Sequence, residues 1–124
     1  MIRILVVEDD EMLLGFYTDL LKEAGFLVDS AADGEIAFQR ASEGGYSLIL
    51  LDVNLPKKEG PEILEELSKN PPKTPNKKIV MLTNATEPAI EEKVKAFGVE
   101  KFLLKSALTP DQLLEEVRIL IPED

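Results

Sequence analysis

Five short apolar runs, each rich in valine, isoleucine or leucine, alternate along the chain with longer stretches that have helical spacing. The runs cover residues 2–7, 26–31, 47–51, 78–83 and 100–104. Short continuous apolar runs are typical of strands buried on both faces, and their alternation with helices favours βαβ units in a parallel sheet. Because such crossovers are right-handed, the pattern predicts a doubly wound α/β sandwich with five strands.

The stretches between the runs carry helix signals. In the first stretch two adjacent apolar stripes repeat at the helical period, namely Leu13, Phe16, Leu20 and Ala24, and Leu14, Tyr17 and Leu21. The sequence TPDQ at 109–112 combines an N-cap threonine, an N1 proline and a capping-box glutamine, so it predicts a helix over 110–121. A looser version, TEP at 86–88, predicts a helix over roughly 86–97.

Length and composition narrow the functions that the chain can have. The 124 residues suit one domain. The sequence has no cysteine and no histidine, which excludes thiol chemistry and removes the commonest general base. The net charge of −10 gives no basic footprint, so direct nucleic-acid binding is not expected. The segment 69–77 holds three of the eight prolines, and it predicts a stiff loop between helix three and strand four rather than a domain boundary.

The apolar run at the N-terminus is too short for a signal peptide or a membrane span. Only residues 4–7 form a continuous apolar segment, and acidic residues follow it directly. We therefore expect a cytoplasmic protein that does not associate with membranes.

Polar side chains stand at the ends of four predicted strands. Strand one is followed by Glu8, Asp9 and Asp10, strand three by Asp52, and strand five by Lys105, while strand four ends at Thr83. Taken alone, each has an ordinary structural explanation, such as a turn aspartate, a solvated lysine or a β-branched strand threonine. In a parallel sheet, however, these ends share one edge, where open α/β sheets bind ligands. The sequence therefore predicts a functional site there.

The chemistry of this site follows from its residue types. Asp9, Asp52 and Glu8 would repel one another unless a cation lay between them. Oxygen ligands with open positions favour Mg²⁺, which accepts phosphate oxygens readily. A carboxylate beside Mg²⁺ can act as a nucleophile and form an aspartyl phosphate, with Lys105 and Thr83 available to contact the phosphoryl oxygens.

Four motifs together resemble the receiver domain of bacterial two-component response regulators, of the chemotaxis-regulator type. They are ILVVEDD at 4–10, LILLDVNLPKKEG at 48–60, MLTNA at 81–85 and FLLKS at 102–106. The resemblance covers essentially residues 1–124 and implies a single receiver domain. It also implies a flavodoxin-like fold, with five helices around a sheet of strand order 2-1-3-4-5.

The resemblance also implies a role for each site residue. Asp52 would be the phosphoacceptor, Lys105 the phosphate-pairing lysine, Thr83 the switch hydroxyl and Phe102 the switch aromatic. Mg²⁺ would be held by Asp9, by Asp52, by the backbone carbonyl of Asn54 and, through water, by Glu8. Asp10 is expected to cap helix one instead of binding metal. Such a domain is a signalling phosphoacceptor and not an enzyme, since it catalyses only its own phosphorylation and dephosphorylation.

The sequence departs from the family pattern at three positions. Ser106 replaces the usual proline after the lysine, Asn84 replaces a small residue after Thr83, and Phe102 replaces the commoner tyrosine. A non-proline cis bond costs roughly 3–4 kcal/mol, so we predict a trans Lys105–Ser106 bond and a loop that still lets Lys105 reach Asp52.

The resemblance implies partners as well. The phosphodonor would be a histidine kinase or a histidine phosphotransfer protein, and the output would be a protein contact or dimer through the helix 4–strand 5–helix 5 face. Met12, Leu13 and Phe16 are candidates for docking the donor, although they are equally candidates for the core and flanks of helix one.

Two other functions remain open at the level of sequence. One is a pseudo-receiver that acts as a phosphorylation-independent interaction module, although such a domain is expected to lose an acid, the threonine or the lysine. The other is a phosphatase like the haloacid dehalogenases, which needs a second acid where this chain has Asn54 and a nucleophile on the first strand.

Overall fold

The computed structural model describes residues 2–122. A five-stranded parallel sheet with the order β2-β1-β3-β4-β5 forms its centre, so the predicted fold class and topology are confirmed. The strands are β1 (Arg3–Val7), β2 (Leu27–Ala31), β3 (Leu48–Asp52), β4 (Lys78–Thr83) and β5 (Val99–Leu104). The helices are α1 (Glu11–Glu23), α2 (Gly34–Glu43), α3 (Gly60–Lys69), α4 (Pro88–Lys95) and α5 (Pro110–Leu120), and a 3-10 turn (Lys105–Ala107) follows β5.

The helices cover both faces of the sheet and form two apolar cores. One core lies under α2, α3 and α4 and includes the strand residues Leu5, Val7, Ile49, Leu51 and Met81. The other lies under α1 and α5 and includes the strand residues Ile4, Val6, Leu48, Leu50, Val80 and Leu82. Neighbouring residues along each strand thus point to opposite faces, and both faces are apolar. This explains why the strands read as continuous apolar runs in the sequence.

Helix α1 shows which of its two apolar stripes faces the core. Tyr17 and Leu21 are buried, whereas Phe16 is 57% exposed and Met12 is 74% exposed. Leu13 is only partly buried and packs against the α1–α5 core. Leu13 is therefore a core residue, whereas Met12 and Phe16 lie outside the core, on the exposed flank of the helix.

The ends of the last two helices differ in how well they match the sequence signals. Thr109 and Gln112 form the expected capping box, since each side chain accepts a hydrogen bond from the other residue's backbone N–H. Helix α4 covers Pro88–Lys95, close to the predicted range of roughly 86–97, and its proline stands at the start as the TEP signal implied. The N-cap, however, is Glu87 and not Thr86, and it makes no side-chain cap hydrogen bond.

The proline-rich segment between α3 and β4 is a loop within the fold, as predicted. Backbone N–H groups of Gly45 and Tyr46 donate to Thr74 O at 3.0 Å and to Asn76 Oδ1 at 3.1 Å. Gly44, at φ 77°, allows this close approach, because a Cβ there would lie 1.9 Å from Thr74 O. None of the helices within residues 2–122 is long and apolar enough to cross a membrane.

Candidate functional site

Three carboxylates converge at the carboxyl edge of the sheet. Glu8 and Asp9 follow β1, and Asp52 is the last residue of the neighbouring strand β3. One oxygen from each of these side chains lies within 4.8 Å of the others. Glu8 and Asp52 are buried, whereas Asp9 is exposed. The convergence predicted from the strand ends is confirmed for these three residues.

Lys105 bridges the two buried acids. Its Nζ lies 2.6 Å from Glu8 Oε1 and 3.0 Å from Asp52 Oδ2, and its side chain is only 12% exposed. The lysine reaches this position from the 3-10 turn after β5, and no cis peptide bond occurs within residues 2–122. The prediction of a trans Lys105–Ser106 bond that still lets Lys105 contact Asp52 is therefore confirmed.

The electrostatics of the cluster show how tightly the charges are confined. Burial raises the pKa of Glu8 to about 7, even though hydrogen bonds from Lys105 and the Asp10 backbone N–H oppose the rise. The negative charge of Asp52 also contributes to this raised pKa. Burial would lower the pKa of Lys105, but its contacts with Glu8 and Asp52 outweigh burial and raise it. The pocket therefore carries excess negative charge that a divalent cation would compensate.

The backbone around Asp52 is held in place by the start of α3. A Cβ on Gly60 would lie 2.5 Å from the Asp52 carbonyl oxygen, so no larger residue fits there. The Gly60 N–H donates to Val53 O at 3.0 Å, and the Asn54 N–H is 3.4 Å from Asp52 Oδ1. Gly60 is the last residue of the motif at 48–60, but the sequence alone predicted no role for it. The contact that requires glycine lies between α3 and β3, and a contact between two elements has no local sequence signal.

Thr83 and Phe102 lie near the edge but do not contact the carboxylates. The Thr83 hydroxyl donates to Ala85 O at 2.7 Å and accepts from the Ala85 N–H at 3.3 Å. Phe102 is partly buried and packs against the α2–α4 core. Neither residue is therefore bonded to Asp52 in this arrangement.

Asp10 has a different role from its acidic neighbours. Its Oδ1 accepts hydrogen bonds from the backbone N–H groups of Met12 at 3.0 Å and Leu13 at 3.1 Å. It is the N-cap of α1, as predicted, and it is not a member of the acidic cluster.

The loop between β3 and α3 is anchored by contacts that sequence reasoning missed. Lys57 has a positive φ of 69° and pairs with Asp33 at 3.7 Å. Lys58 pairs with Glu66, and its Nζ lies 4.4 Å from the centre of the Phe38 ring. These contacts fix the segment after Asp52 to α2 and α3. Both lysines belong to the motif at 48–60, but the sequence did not show which residues they would contact.

Comparisons with known proteins agree with this geometry. Residues 4–118 match the response regulator receiver domain family. The chain is 34% identical over 121 residues to the transcriptional regulatory protein CusR of Escherichia coli strain K12, which covers 96% of this chain and 51% of that protein. It is 31% identical over 117 residues to the transcriptional regulatory protein DltR of Streptococcus agalactiae, covering 94% of this chain and 50% of that protein. The chain thus spans about half the length of these regulators.

Solved structures give the same result. The chemotaxis response regulator CheY4 of Vibrio cholerae superposes with a TM-score of 0.82 at 30% identity, covering 98% of this chain and 99% of that one. The response regulator TrrA of Thermotoga maritima, solved in complex with Mg(2+)-BeF, gives a TM-score of 0.78 at 30% identity, covering 98% of this chain and 100% of that one.

Proposed function

The chain belongs to the response regulator receiver domain family, the phosphoacceptor domains of two-component signalling, and from this we propose that Asp52 is its phosphorylated residue. Receiver domains are signalling phosphoacceptors and not conventional enzymes. The observation that carries the proposal is the bridge from Lys105 to both Glu8 and Asp52 beside the exposed carboxylate of Asp9. This arrangement combines a nucleophile, a cation for phosphoryl oxygens and ligands for a metal.

The acidic residues fit a magnesium ion. The donor set consists only of oxygens, which Mg²⁺ prefers, and the excess charge of the cluster calls for a cation. We propose Asp9, Asp52 and the Asn54 carbonyl as direct ligands and Glu8 as a ligand through water. When bound, the ion would neutralise charge on the phosphoryl oxygens.

The reaction follows from the position of each residue. A carboxylate oxygen of Asp52 attacks the phosphorus of a phosphohistidine on a histidine kinase or phosphotransfer protein. The phosphorus–nitrogen bond breaks, the imidazole leaves with the bonding electrons and takes up a proton, and an aspartyl phosphate remains. Lys105 keeps its contact with Glu8 and pairs with a phosphoryl oxygen.

The signal would then pass through Thr83. Its hydroxyl exchanges the Ala85 carbonyl for a phosphoryl oxygen, and Phe102 moves inward behind it. This switch requires that the phosphoryl group bind the active arrangement more tightly than the inactive one. A downstream protein or a second copy would read the change on the α4–β5–α5 face.

The remaining expectations belong to the same proposal. Residues 1–124 would form a single receiver domain located in the cytoplasm. The exposed side chains of Met12 and Phe16 on α1 stand close to the acidic residues along the chain, so they are suited to dock the phosphodonor.

The decisive experiment is phosphorylation of Asp52→Asn. Wild-type protein should be labelled by a small phosphodonor in Mg²⁺ and should bind beryllofluoride, and the variant should do neither, because the amide is not a nucleophile. Asp10→Asn is the matched control, since it changes a neighbouring acid that only caps α1 and should leave labelling intact. Persistent labelling of Asp52→Asn would place the acceptor elsewhere, and an unlabelled wild type would favour a phosphorylation-independent module.

A further inference from the structure

A second recessed surface lies at the opposite edge of the sheet from Asp52. It is a cavity of about 220 Å³ between the end of α3, the loop over 70–77 and the segment after α4. We call it the basal groove and define it by its lining residues, among them Leu64, Leu67, Pro72, Pro75, Ile79 and Phe97. Ser68 and Asn76 also line it. Apart from Ser68 and Asn76 its lining is apolar, so the recess suits an apolar side chain of a binding partner.

The basal groove is built from a segment that is held in place before any ligand arrives. Asn76 accepts from the Tyr46 N–H and donates from Nδ2 to Ala41 O at 2.9 Å. The Lys77 N–H donates to Tyr46 O at 2.9 Å, and Gly45 N–H donates to Thr74 O. Since prolines fix their own φ angles, the loop loses little conformational entropy on binding. A preformed recess therefore favours association.

The loop that forms one wall of the basal groove is basic, although the protein as a whole is acidic. Residues 69–77 contain three lysines and no acid, in a chain of net charge −10, and one of these lysines, Lys69, pairs with Glu65. Lys73 and Lys77 are exposed and make no ion pair within residues 2–122. The nearby acids of α3 are already compensated, because Glu65 pairs with Lys69 and Glu66 pairs with Lys58.

The size of the recess limits what it can hold. Small-molecule sites usually have about 300–1,000 Å³, so a cavity of about 220 Å³ suits one bulky side chain better than a cofactor. From shape and charge together, we propose that the basal groove docks an acidic peptide segment of a partner protein, with one large apolar residue inserted between α3 and the proline-rich loop. This goes beyond the proposed phosphoacceptor function and does not depend on Asp52.

The test uses a peptide whose fluorescence can be followed directly. The peptide is capped at both ends and has one central tryptophan with four acidic residues on each side. The protein contains no tryptophan, so a change in tryptophan emission comes from the peptide and reports its binding. Titration without Mg²⁺ or beryllofluoride keeps the outcome independent of phosphorylation. We expect saturable binding. A labelled peptide followed by anisotropy should bind at least tenfold more weakly when glutamine replaces the tryptophan or lysines replace the acids.

Two protein variants locate the binding site. Ser68→Phe fills the basal groove from an exposed position, with Ser68→Ala as its control because it leaves the groove open. Lys73→Glu reverses charge at the rim, and Lys22→Glu makes the same charge change on exposed α1. Ser68→Phe and Lys73→Glu should each weaken peptide binding at least tenfold, whereas Ser68→Ala and Lys22→Glu should change the affinity by less than twofold. Thermal melts should show that all four variants are folded.

The contrary results are equally specific. Absence of saturable binding, equal binding of the lysine peptide, or equal effects of Lys73→Glu and Lys22→Glu would overturn the proposal. A wild-type dimer in sedimentation that is lost in Ser68→Phe would assign the groove to a second copy and would also overturn it.

Discussion

Strands β3 and β5 supply complementary parts of the same site, but the fold holds them very differently. Every residue of β3 is buried, and its neighbours β1 and β4 flank it on both sides. Strand β5 is an edge strand with no fully buried residue, and the adjoining α4 has one buried residue, whereas α3, which follows β3, has five. Free energies of local opening vary in this way across a structure, and moving parts come from the less stable end. The proposed phosphoacceptor, Asp52, is therefore on the rigid side and the proposed switch aromatic, Phe102, on the softer side, while the proposed switch hydroxyl of Thr83 lies on β4 between them.

The largest expected effect comes from adding a methyl group on the rigid side. Gly60→Ala places a Cβ 2.5 Å from the Asp52 carbonyl oxygen, and backbone cannot rotate away as a side chain can. We expect a loss of about 3 kcal/mol in the free energy of unfolding, measured by urea denaturation, together with impaired labelling of Asp52.

Two other glycines are the controls for that substitution. A Cβ on Gly98, on the softer side, would have no neighbouring atom within 4 Å, and the only strain in Gly98→Ala comes from its φ of 82°. This substitution should therefore lower the free energy of unfolding by roughly 1–2 kcal/mol. Gly15→Ala in α1 also meets no atom and should stabilise by about 0.5–1 kcal/mol. If Gly60→Ala were no worse than Gly98→Ala, the contrast between the two sides would be wrong.

The next effect tests coupling between the two sides. Thr83→Ala should still be labelled at Asp52 but should lose the beryllofluoride-induced change in amide hydrogen exchange of β5, a coupling of about 1–3 kcal/mol. Thr86→Ala, an exposed threonine beyond the strand, should retain the full change. An unaltered response in Thr83→Ala would show that another residue carries the signal.

A smaller effect concerns repulsion among the carboxylates. In EDTA, Asp52→Asn should raise the free energy of unfolding by about 1 kcal/mol, because three acids lie close together in the wild type and Lys105 pairs with only two of them. Mg²⁺ should stabilise the wild type and narrow the difference, which thermal melts would follow. Asp10→Asn should melt like the wild type, since asparagine caps a helix as well as aspartate. Equal melting of Asp52→Asn and wild type in EDTA would refute strong repulsion.

The smallest effect is expected at the other edge strand, β2. The Tyr46 hydroxyl donates to Asp29 Oδ2 at 2.6 Å, and this bond, with Arg3 at 3.1 Å, lowers the pKa of Asp29. A carboxyl group whose pKa is lower in the folded state stabilises the fold at pH values above its ordinary pKa. This stabilisation is lost as the pH falls through the lowered pKa. Asp29→Asn should therefore lower the free energy of unfolding by less than about 1 kcal/mol at neutral pH and should not change it at strongly acidic pH.

Urea denaturation at several pH values checks this last expectation. Asp19→Asn, on the exposed side of α1, is the control and should show no pH-dependent difference from the wild type. A cost for Asp29→Asn that persisted in strong acid would mean that packing, and not the charge of Asp29, holds this edge.

The fold class and the candidate members of the acidic cluster follow from the amino-acid sequence alone. Apolar runs and helical spacing are local properties, and parallel strands bring their carboxyl ends to one edge, so the strand pattern predicts Glu8, Asp9 and Asp52 at that edge. The strand order that makes β1 and β3 neighbours was implied by the family resemblance. The cap residues Asp10 and Thr109 were equally predictable, because capping acts over three residues of chain. The cap of α4 was less so, since Pro88 begins the helix as its signal implies but Glu87 and not Thr86 is the N-cap.

How the side chains meet was settled only by tertiary packing. Lys105 contacts Asp52 across 53 positions of sequence, and neither residue type nor spacing showed that it would bridge Glu8 as well. The need for glycine at position 60 and the recess beside Phe97 likewise arise where separate elements pack. Local patterns are set by neighbours along the chain, whereas these contacts depend on the distances between elements, which packing fixes only when the whole sheet and its helices have assembled.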